Sequence, residues 1–321
     1  MSQEEIGGFF FDLESANQRI DEMGANKILL QLPDGLIRHT DEFSREIKGD
    51  ISIWGGTCYG ACDLPSDIGG NEVLIHVGHA EIPNLKNDYP VVYIEGRNGG
   101  LEEIPDELSE KVSGKVALYS TVQYLDNLGE IKGYLDERGY ETVVGKGNGR
   151  VKYPGHVLGC NFSCKVDDAD THLFIGTGMF HPIGLSVVLD KELTIFNPMN
   201  GEIKNTKDLK EGMLRKRHAR ISKAQEAGNF GIIVSSKKGQ SRRKLAEEIK
   251  SSCERCMFVE TDEITPGRMD YLGFDCFINT ACPRIALDDD VRFKTTVITP
   301  EEFEILIKKR EWKDWGLDQI D

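Results

Sequence analysis

Short apolar runs recur along the chain in three groups of four, and this recurrence limits the possible folds more than any other feature. The runs of the three groups span residues 27–32, 51–54, 72–77 and 91–94; 115–119, 141–144, 172–175 and 193–196; and 230–234, 257–260, 274–279 and 295–298. Most runs are continuously apolar and separated by helical or loop stretches, as in parallel strands buried on both faces. The repeat is too long for a solenoid. The sequence therefore predicts an α/β fold of three related domains, 1–104, 105–205 and 206–321, each with a four-stranded parallel sheet and flanking helices.

Two helices are marked clearly in the last third of the chain. Residues 208–227 lack proline and end against Gly228, which predicts a long helix whose basic cluster forms a solvated face. The last helix opens with Thr299, Pro300, Glu301 and Glu302, a capping box with proline at the first helical position.

Composition excludes several classes of function. The 321 residues carry a formal net charge of -15, which argues against a nucleic-acid partner because binding to phosphate relies on clustered Lys and Arg. The beginning of the chain lacks a basic flank followed by an apolar run, and no stretch approaches the length of a membrane span. We expect a cytoplasmic protein without a membrane partner. Its eight cysteines are then expected to be thiols or ligands rather than a disulfide framework.

Three cysteines, Cys58, Cys160 and Cys282, lie in turns flanked by Gly or Pro, one in each third of the chain. A structural zinc site usually takes its thiolates from close pairs. One thiolate from each domain instead indicates a cofactor held where the domains meet. Three thiolates on a four-iron cluster would leave one iron open for chemistry.

The other cysteines are weaker candidates. Cys62 and Cys164 each follow a candidate ligand by four residues and could lie beside the same ion. Cys253 and Cys256 form a Cys-x-x-Cys pair, but a zinc site would need two more ligands, and such lone pairs mostly bind nothing. Cys276 lies in an apolar run and is predicted to be a core residue.

Polar loops follow the first predicted strand of each domain, at residues 31–35, 120–124 and 235–241. Ligands of parallel sheets bind beyond the carboxyl ends of strands, so these loops could face one shared ligand, although helix capping would explain each loop taken singly.

Histidines His76, His79 and His181 follow the third strands of the first two domains. They could donate hydrogen bonds to cluster sulfur or to a substrate carboxylate, or be satisfied locally.

Several longer motifs carry a family resemblance. The chain resembles the archaeal diphthamide-biosynthesis enzymes, the 2-(3-amino-3-carboxypropyl)histidine synthases, nearly from end to end. The motifs are Gln-Leu-Pro-Asp-Gly-Leu (31–36), Gly-Gly-Thr-Cys-Tyr-Gly-Ala-Cys-Asp (55–63), His-Val-Gly-His-Ala-Glu (76–81), Val-Leu-Gly-Cys-Asn-Phe (157–162), Phe-His-Pro-Ile-Gly-Leu (180–185), Ser-Ser-Lys-Lys-Gly-Gln (235–240) and Asn-Thr-Ala-Cys-Pro-Arg (279–284).

The resemblance implies three related domains around a shared central 4Fe-4S cluster, with Cys58, Cys160 and Cys282 as its ligands. It also implies a noncanonical radical reaction of S-adenosylmethionine. An electron from the reduced cluster breaks the bond between sulfur and the γ-carbon, and the 3-amino-3-carboxypropyl radical adds to C2 of a histidine imidazole on translation elongation factor 2. An external electron donor and a homodimer are implied as well.

Selecting one of three carbons on sulfur requires positioning of S-adenosylmethionine by the protein. The candidate contacts are Gln31, Gln123, Ser235, Gly239 and Gln240 on the strand-end loops, and Arg284 beside Cys282.

Two other functions remain open. One is a quinolinate-synthase-like dehydratase, in which the open iron acts as a Lewis acid. The other is a non-catalytic binding module stapled by zinc through Cys253, Cys256 and other thiols.

Overall fold

The computed structural model describes residues 3–321, in which strands and helices alternate along the chain. The strands are β1 (Glu4–Ile6), β2 (Phe9–Phe11), β3 (Lys27–Gln31), β4 (Asp50–Ile53), β5 (Val73–Val77), β6 (Val91–Ile94), β7 (Lys115–Ser120), β8 (Glu141–Val143), β9 (Thr171–Ile175), β10 (Thr194–Phe196), β11 (Ile203–Asn205), β12 (Phe230–Ser235), β13 (Cys256–Thr261), β14 (Cys276–Asn279) and β15 (Thr296–Ile298). The helices are α1 (Leu13–Met23), α2 (Thr40–Glu46), α3 (Glu107–Glu110), α4 (Leu125–Glu137), α5 (Phe180–Leu189), α6 (Lys207–Ala224), α7 (Arg243–Ser251), α8 (Pro266–Met269), α9 (Arg284–Leu287) and α10 (Pro300–Leu306).

Three sheets share one topology, which confirms the predicted α/β class and its triplication. The strand orders are β4-β3-β5-β6, β8-β7-β9-β10 and β13-β12-β14-β15, so the first strand of each group pairs with the second and third. The pairs within these three orders are parallel. Each of the twelve predicted runs overlaps one of these strands. Parallel strands expose their carboxyl ends along one edge, where the candidate loops begin.

The middle sheet has five strands, so the expectation of four is wrong there. β11 lies at the edge of this sheet beside β10. The reversal between them is a tight turn in which the Gly201 N–H donates to the Asn197 carbonyl at 3.0 Å. Gly201 adopts a φ of +70°, a conformation that glycine tolerates without strain, and this allows the chain to return beside β10.

The chain divides into two compact units. The first comprises the described residues up to Val157 together with Ser163–Thr177 and Thr194–Lys204, and the second comprises Leu158–Phe162, Gly178–Leu193 and Asn205–Asp321. The boundaries of the three predicted domains therefore stay a prediction. No helix within residues 3–321 is long and apolar enough to cross a membrane.

The first unit is built on the apolar faces of its sheets. Side chains of β3 and β5 pack against α1 and α2, with Phe11 and Phe43 in edge-to-face contact at a centroid distance of 5.0 Å. A separate cluster covers the middle sheet, with Leu118 and Leu173 facing Ile131 of α4. These strands are buried on both faces, which explains their continuous apolar sequences.

The second unit contains a buried arginine on α6. The basic cluster of this helix was expected to form a solvated face, but Arg217 is fully buried, so the expectation is wrong for this residue. Its guanidinium donates to both carboxylate oxygens of Glu302, at 2.7 and 2.5 Å, and to the carbonyls of Ala286 and Val297, at 2.5 and 3.0 Å. A buried charge is tolerated when it is paired and hydrogen-bonded in this way. The predicted capping box at Thr299 is confirmed.

Cys253 and Cys256 form a disulfide, which corrects the expectation that all eight cysteines are thiols or ligands. α7 ends at Ser251 and β13 begins at Cys256, and the turn between them brings the two Cα atoms to 5.4 Å, within the range that a disulfide requires. The other six cysteines are not in disulfides. Cys276 is fully buried in the core of the second unit, as predicted.

Candidate functional site

Cys58 lies in a loop after β4 that is closed by Asp63. One carboxylate oxygen of Asp63 accepts from the Thr57 hydroxyl at 3.2 Å and from the Tyr59 N–H at 3.0 Å, so it bonds the residues on both sides of Cys58. Cys58 and Asp63 are buried. The loop is therefore fixed by a carboxylate that sequence reasoning did not single out, although Asp63 follows Cys58 by only five residues.

Gln31 ties the same loop to the carboxyl end of β3. Its amide nitrogen donates to the Asp63 carbonyl at 2.7 Å and to the Thr57 carbonyl at 3.2 Å, and the side chain is fully buried. Two donors of one amide thus hold both ends of the Cys58 loop. Gln31 was predicted as a contact to S-adenosylmethionine; its position instead supports a role in placing Cys58.

The amide oxygen of Gln31 sets the tautomers of two histidines. The Thr57 and Asp63 carbonyls can only accept, so the Gln31 amide nitrogen must face them and its oxygen must face Nδ1 of His76. This Nδ1 lies 2.7 Å from the oxygen and donates to it. Neutral His76 then accepts at Nε2 from Nδ1 of His79, at 3.0 Å. Burial lowers the pKa of His76 well below its usual value, and burial lowers the pKa of His79 to about 4 against the opposing charge of Asp63. Both rings are neutral at pH 7.

Ligand atoms of Cys58, His76 and His79 lie within 4.8 Å of one another, a grouping that could hold a metal ion. However, both ring nitrogens of His76 are engaged, one with Gln31 and one with His79. His76 can therefore bind a metal only after this chain of hydrogen bonds is broken. The two histidines therefore form a hydrogen-bonded pair beside Cys58 that is anchored on Gln31.

In the second unit, Cys160 lies at the tip of a tight turn. The backbone groups of Leu158 and Asn161 bond each other in both directions at 3.1 Å, which closes the turn around Gly159 and Cys160. A Cβ added to Gly159 would lie 2.8 Å from the Phe180 ring and 3.5 Å from the Arg284 side chain. The turn therefore fits closely against the first residues of α5 and α9.

Cys282 lies between the carboxyl end of β14 and the start of α9. The fully buried Asn279 donates from its side-chain amide to the Cys282 carbonyl at 2.9 Å, and its oxygen accepts from the Ala281 N–H at 3.2 Å. A buried carboxamide at a strand end thus holds the Cys282 turn, as Gln31 holds the Cys58 loop. These two hydrogen bonds involve backbone groups of the turn, so the backbone conformation of the turn sets the direction of the Cys282 side chain.

Arg284 and His181 lie close to this turn. The guanidinium of Arg284 pairs with Asp288 at 2.5 Å and lies 4.9 Å from the centre of the Phe180 ring. Burial, with a smaller contribution from the Arg284 charge, lowers the pKa of His181 to about 4. A neutral imidazole and a guanidinium therefore share this part of the second unit.

The remaining predicted contacts lie on two different units. Gln123 is in the first unit, on the turn after β7, where its carbonyl accepts from the Asn98 N–H at 2.6 Å. In the second unit, Ser235 ends β12, and Gly239 and Gln240 lie on the loop after it. All three are buried, and the Ser235 hydroxyl accepts from the Lys237 N–H of that loop. The prediction of a shared ligand for these loops stays a prediction.

Cys164 is less suited to ligation than Cys160. It is fully buried, and burial raises the pKa of its thiol to about 12. Ligation of iron uses the thiolate, which this environment disfavours. Cys62 is partly exposed, and its role as an alternative ligand stays a prediction.

Comparison with known proteins then decides the family. A protein-family profile described as "Putative diphthamide synthesis protein" matches residues 32–316. The chain belongs to this family. It is 32% identical over 318 residues to the 2-(3-amino-3-carboxypropyl)histidine synthase of Pyrococcus horikoshii, covering 94% of this chain and 91% of that protein. The synthase of the same name from Methanocaldococcus jannaschii is 30% identical, with 94% and 90% covered.

A solved structure of a diphthamide-family member shows the same fold. The crystal structure of Dph2 from Pyrococcus horikoshii with a 4Fe-4S cluster matches with a TM-score of 0.86 and 30% identity, covering 99% of this chain and 95% of that one. The resemblance stated from sequence is confirmed. These matches favour the synthase over the dehydratase and over the zinc-stapled module, whose Cys253 and Cys256 are joined in a disulfide.

The three cysteines predicted as ligands each have the chemistry that iron-sulfur ligation requires. Cys58, Cys160 and Cys282 are outside disulfides, and each lies in a turn fixed through backbone hydrogen bonds. Thiolates from such turns are the ligands that iron-sulfur clusters use. Sequence reasoning singled out these three cysteines but not Asp63 and Asn279, which hold two of the turns.

Proposed function

We propose that this protein is a 2-(3-amino-3-carboxypropyl)histidine synthase that transfers the 3-amino-3-carboxypropyl group of S-adenosylmethionine to C2 of a histidine imidazole on translation elongation factor 2. One observation carries the proposal: 99% of the chain matches the fold of a protein crystallised with a 4Fe-4S cluster, at 30% identity. The curated relatives carry the name of this synthase.

Cys58, Cys160 and Cys282 are the proposed cluster ligands. Their support is the family match, their position in Gly- or Pro-flanked turns, and the hydrogen bonds that fix each turn through the backbone. When bound and reduced, a 4Fe-4S cluster supplies the electron that breaks the bond between sulfur and the γ-carbon, with methylthioadenosine as the other product. The electron comes from an external donor.

Polar residues of the strand-end loops are proposed to bind S-adenosylmethionine. Gln123, Ser235, Gly239 and Gln240 offer backbone and side-chain groups, and Arg284 offers a guanidinium to the carboxylate. Their task is to present one of the three carbons on sulfur and to keep the other two away, which requires placement to within about 1 Å. Gln31 contributes by fixing the Cys58 loop.

The neutral histidines suit a site that receives a cationic sulfonium. Protonated imidazoles beside Cys58 would repel the substrate, whereas burial keeps His76 and His79 neutral. The proposal includes a cytoplasmic location, expected from the sequence, and a homodimer, taken from the family resemblance. It includes neither a nucleic-acid nor a membrane partner.

The test is anaerobic reconstitution followed by product analysis. Reduced with dithionite, the protein and S-adenosylmethionine should yield methylthioadenosine, and elongation factor 2 should gain the 3-amino-3-carboxypropyl group on one histidine. 5′-Deoxyadenosine as the main product would contradict the proposal, and a cluster that forms without cleaving S-adenosylmethionine would favour the dehydratase.

A pair of variants on one loop tests the substrate contacts. Gln240→Ala should weaken binding of S-adenosylmethionine while the absorption of the cluster is unchanged, because Gln240 is buried on the loop after β12 and is not among the proposed cluster ligands. The exposed neighbour Ser241 provides the matched control, and Ser241→Ala should bind as the wild type does.

A further inference from the structure

The segment Leu317–Asp321 is bonded to the turn that carries Cys160. The Ile320 N–H donates to the Cys160 carbonyl at 2.8 Å, and the Asn161 amide donates back to the Ile320 carbonyl at 3.0 Å. The side-chain oxygen of Gln319 accepts from the Phe162 N–H at 3.1 Å. Three consecutive residues of the turn are thus held by two residues of this segment.

The same segment is joined to the turn that carries Cys282 through Arg242. The guanidinium donates to the carbonyls of Thr280 and Ala281, the two residues before Cys282, at 2.9 and 3.1 Å. It also forms a two-point ion pair with the carboxylate of Asp318, with N···O distances of 2.5 and 2.6 Å. One planar side chain therefore bonds both the Cys282 turn and the segment that holds the Cys160 turn.

We propose that Arg242 and Asp318 are positioning residues that fix the Cys160 and Cys282 turns relative to each other, so that both thiolates are placed before the cluster binds. The inference rests on the proposed function, because it takes Cys160 and Cys282 as ligands. Apart from the ion pair, each of these hydrogen bonds has a backbone group of a turn or of the segment at one end, so the arrangement restrains the backbone of both turns.

The physical gain is preorganisation. Two flexible turns would have to be ordered when the cluster binds, at a cost that grows with every residue fixed. Asp318 is almost completely buried; burial raises the pKa of its carboxyl, and the ion pair with Arg242 acts in the opposite direction. A lysine in place of Arg242 would keep the charge but lose the planar set of donors that reaches two carbonyls and a carboxylate at once.

The neighbouring residue provides a matched control. Arg243 is also bonded to carboxylates, at Glu247 and Glu260, but its side chain is 45% exposed and reaches neither cysteine turn. Arg243→Lys therefore reproduces the chemical change of Arg242→Lys one position away. Ile249→Ala serves as a second control, because it removes buried apolar contacts of α7 and destabilises the unit without touching the ion pair.

The first measurement uses the full chain, cluster-free and reduced, and follows alkylation of each cysteine by iodoacetamide with peptide mass mapping. In Asp318→Asn and Arg242→Lys, Cys160 and Cys282 should react about tenfold faster than in the wild type, as expected when a charged hydrogen bond that restrains a local opening is lost. Cys58 should keep its wild-type rate. Arg243→Lys should match the wild type at all three cysteines.

The second measurement uses the reconstituted protein. Removal of iron by a chelator should be about tenfold faster in Asp318→Asn than in Arg243→Lys, and the electron-resonance spectrum of the reduced cluster should broaden as the ligand positions spread. Ile249→Ala should lower the melting temperature but leave that spectrum unchanged.

Two results would overturn the inference. Wild-type alkylation rates for Cys160 and Cys282 in both variants would mean that the ion pair restrains neither turn. A parallel increase at Cys58 would mean general destabilisation. The alkylation assay requires no cluster. Unchanged alkylation rates in the variants, together with normal product formation by the wild type, would therefore refute only the positioning role. A wild-type protein that assembles no 4Fe-4S cluster would refute the proposed function and the ligand roles together.

Discussion

Replacing Glu301 by glutamine is expected to make the second unit more stable at neutral pH. Glu301 is in the first turn of α10, and one of its carboxylate oxygens is buried without a hydrogen-bond partner among residues 3–321. Burial, followed by the charge of Asp318, raises the pKa of Glu301 from 4.5 to about 7. Glutamine has nearly the same shape and mimics the protonated acid, so it removes the cost of the charge.

The magnitude follows from linkage between proton binding and folding. The pKa of Glu301 is higher in the folded protein than in the unfolded chain, so between these two values the folded protein holds a proton that the unfolded chain has lost. The free energy of unfolding of the wild type therefore falls as the pH rises from 4.5 to about 7. At about 1.36 kcal/mol for each pH unit, the loss amounts to about 3 kcal/mol. Glu301→Gln should therefore match the wild type near pH 4.5 and exceed it by about this amount at pH 8.

Urea unfolding of cluster-free protein at a series of pH values measures the difference. Two of the three tryptophans, Trp312 and Trp315, lie in the same unit as Glu301, so fluorescence reports its unfolding. Glu304→Gln is the control, because the Glu304 side chain is 44% exposed and is paired with Arg310. Stability curves of wild type and Glu301→Gln that run parallel from pH 4.5 to pH 8 would refute the reasoning.

Three further outcomes are expected. Cys160→Ala should lower the iron content of the reconstituted protein and abolish formation of methylthioadenosine, whereas Cys276→Ala should keep both; full iron in Cys160→Ala would remove this residue from the ligand set. Gln31→Leu should speed alkylation of Cys58 in cluster-free protein about tenfold, because two hydrogen bonds that close its loop are lost; an unchanged rate would argue against the role of Gln31. Arg217→Met should destabilise the second unit by about 3–5 kcal/mol in urea unfolding, since it leaves buried carboxylates unpaired; a loss below about 1 kcal/mol would contradict this account.

The sheets could be predicted from sequence because their signal is local. A parallel strand buried on both faces is a continuous apolar run, and each run predicted its strand to within a few residues. β11 was missed because Ile203–Asn205 is short and largely polar, and its pairing depends on the turn at Gly201. Arg217 was misjudged because its partners lie far away in the chain, with Glu302 85 positions on.

The candidate site also contains residues with a local sequence signal and residues without one. Cys58, Cys160 and Cys282 could be singled out as candidate ligands because glycines, a proline and longer motifs surround them. Arg242 and Asp318 could not be found, because 76 positions separate them and neither has a local signal.

The disulfide between Cys253 and Cys256 has a consequence for the chemistry of the thiols. It lies at the amino end of β13, whereas Cys282 follows the carboxyl end of β14 in the same parallel sheet. At about 3.3 Å per residue, a six-residue strand separates the two edges by roughly 20 Å. Thiol–disulfide exchange requires contact between sulfurs. Cys276 is closer, but burial raises its pKa to about 12 and keeps it a poor nucleophile. The oxidised pair therefore cannot exchange with Cys282 within the folded sheet, and that thiol stays available for iron while the other end of the sheet is oxidised.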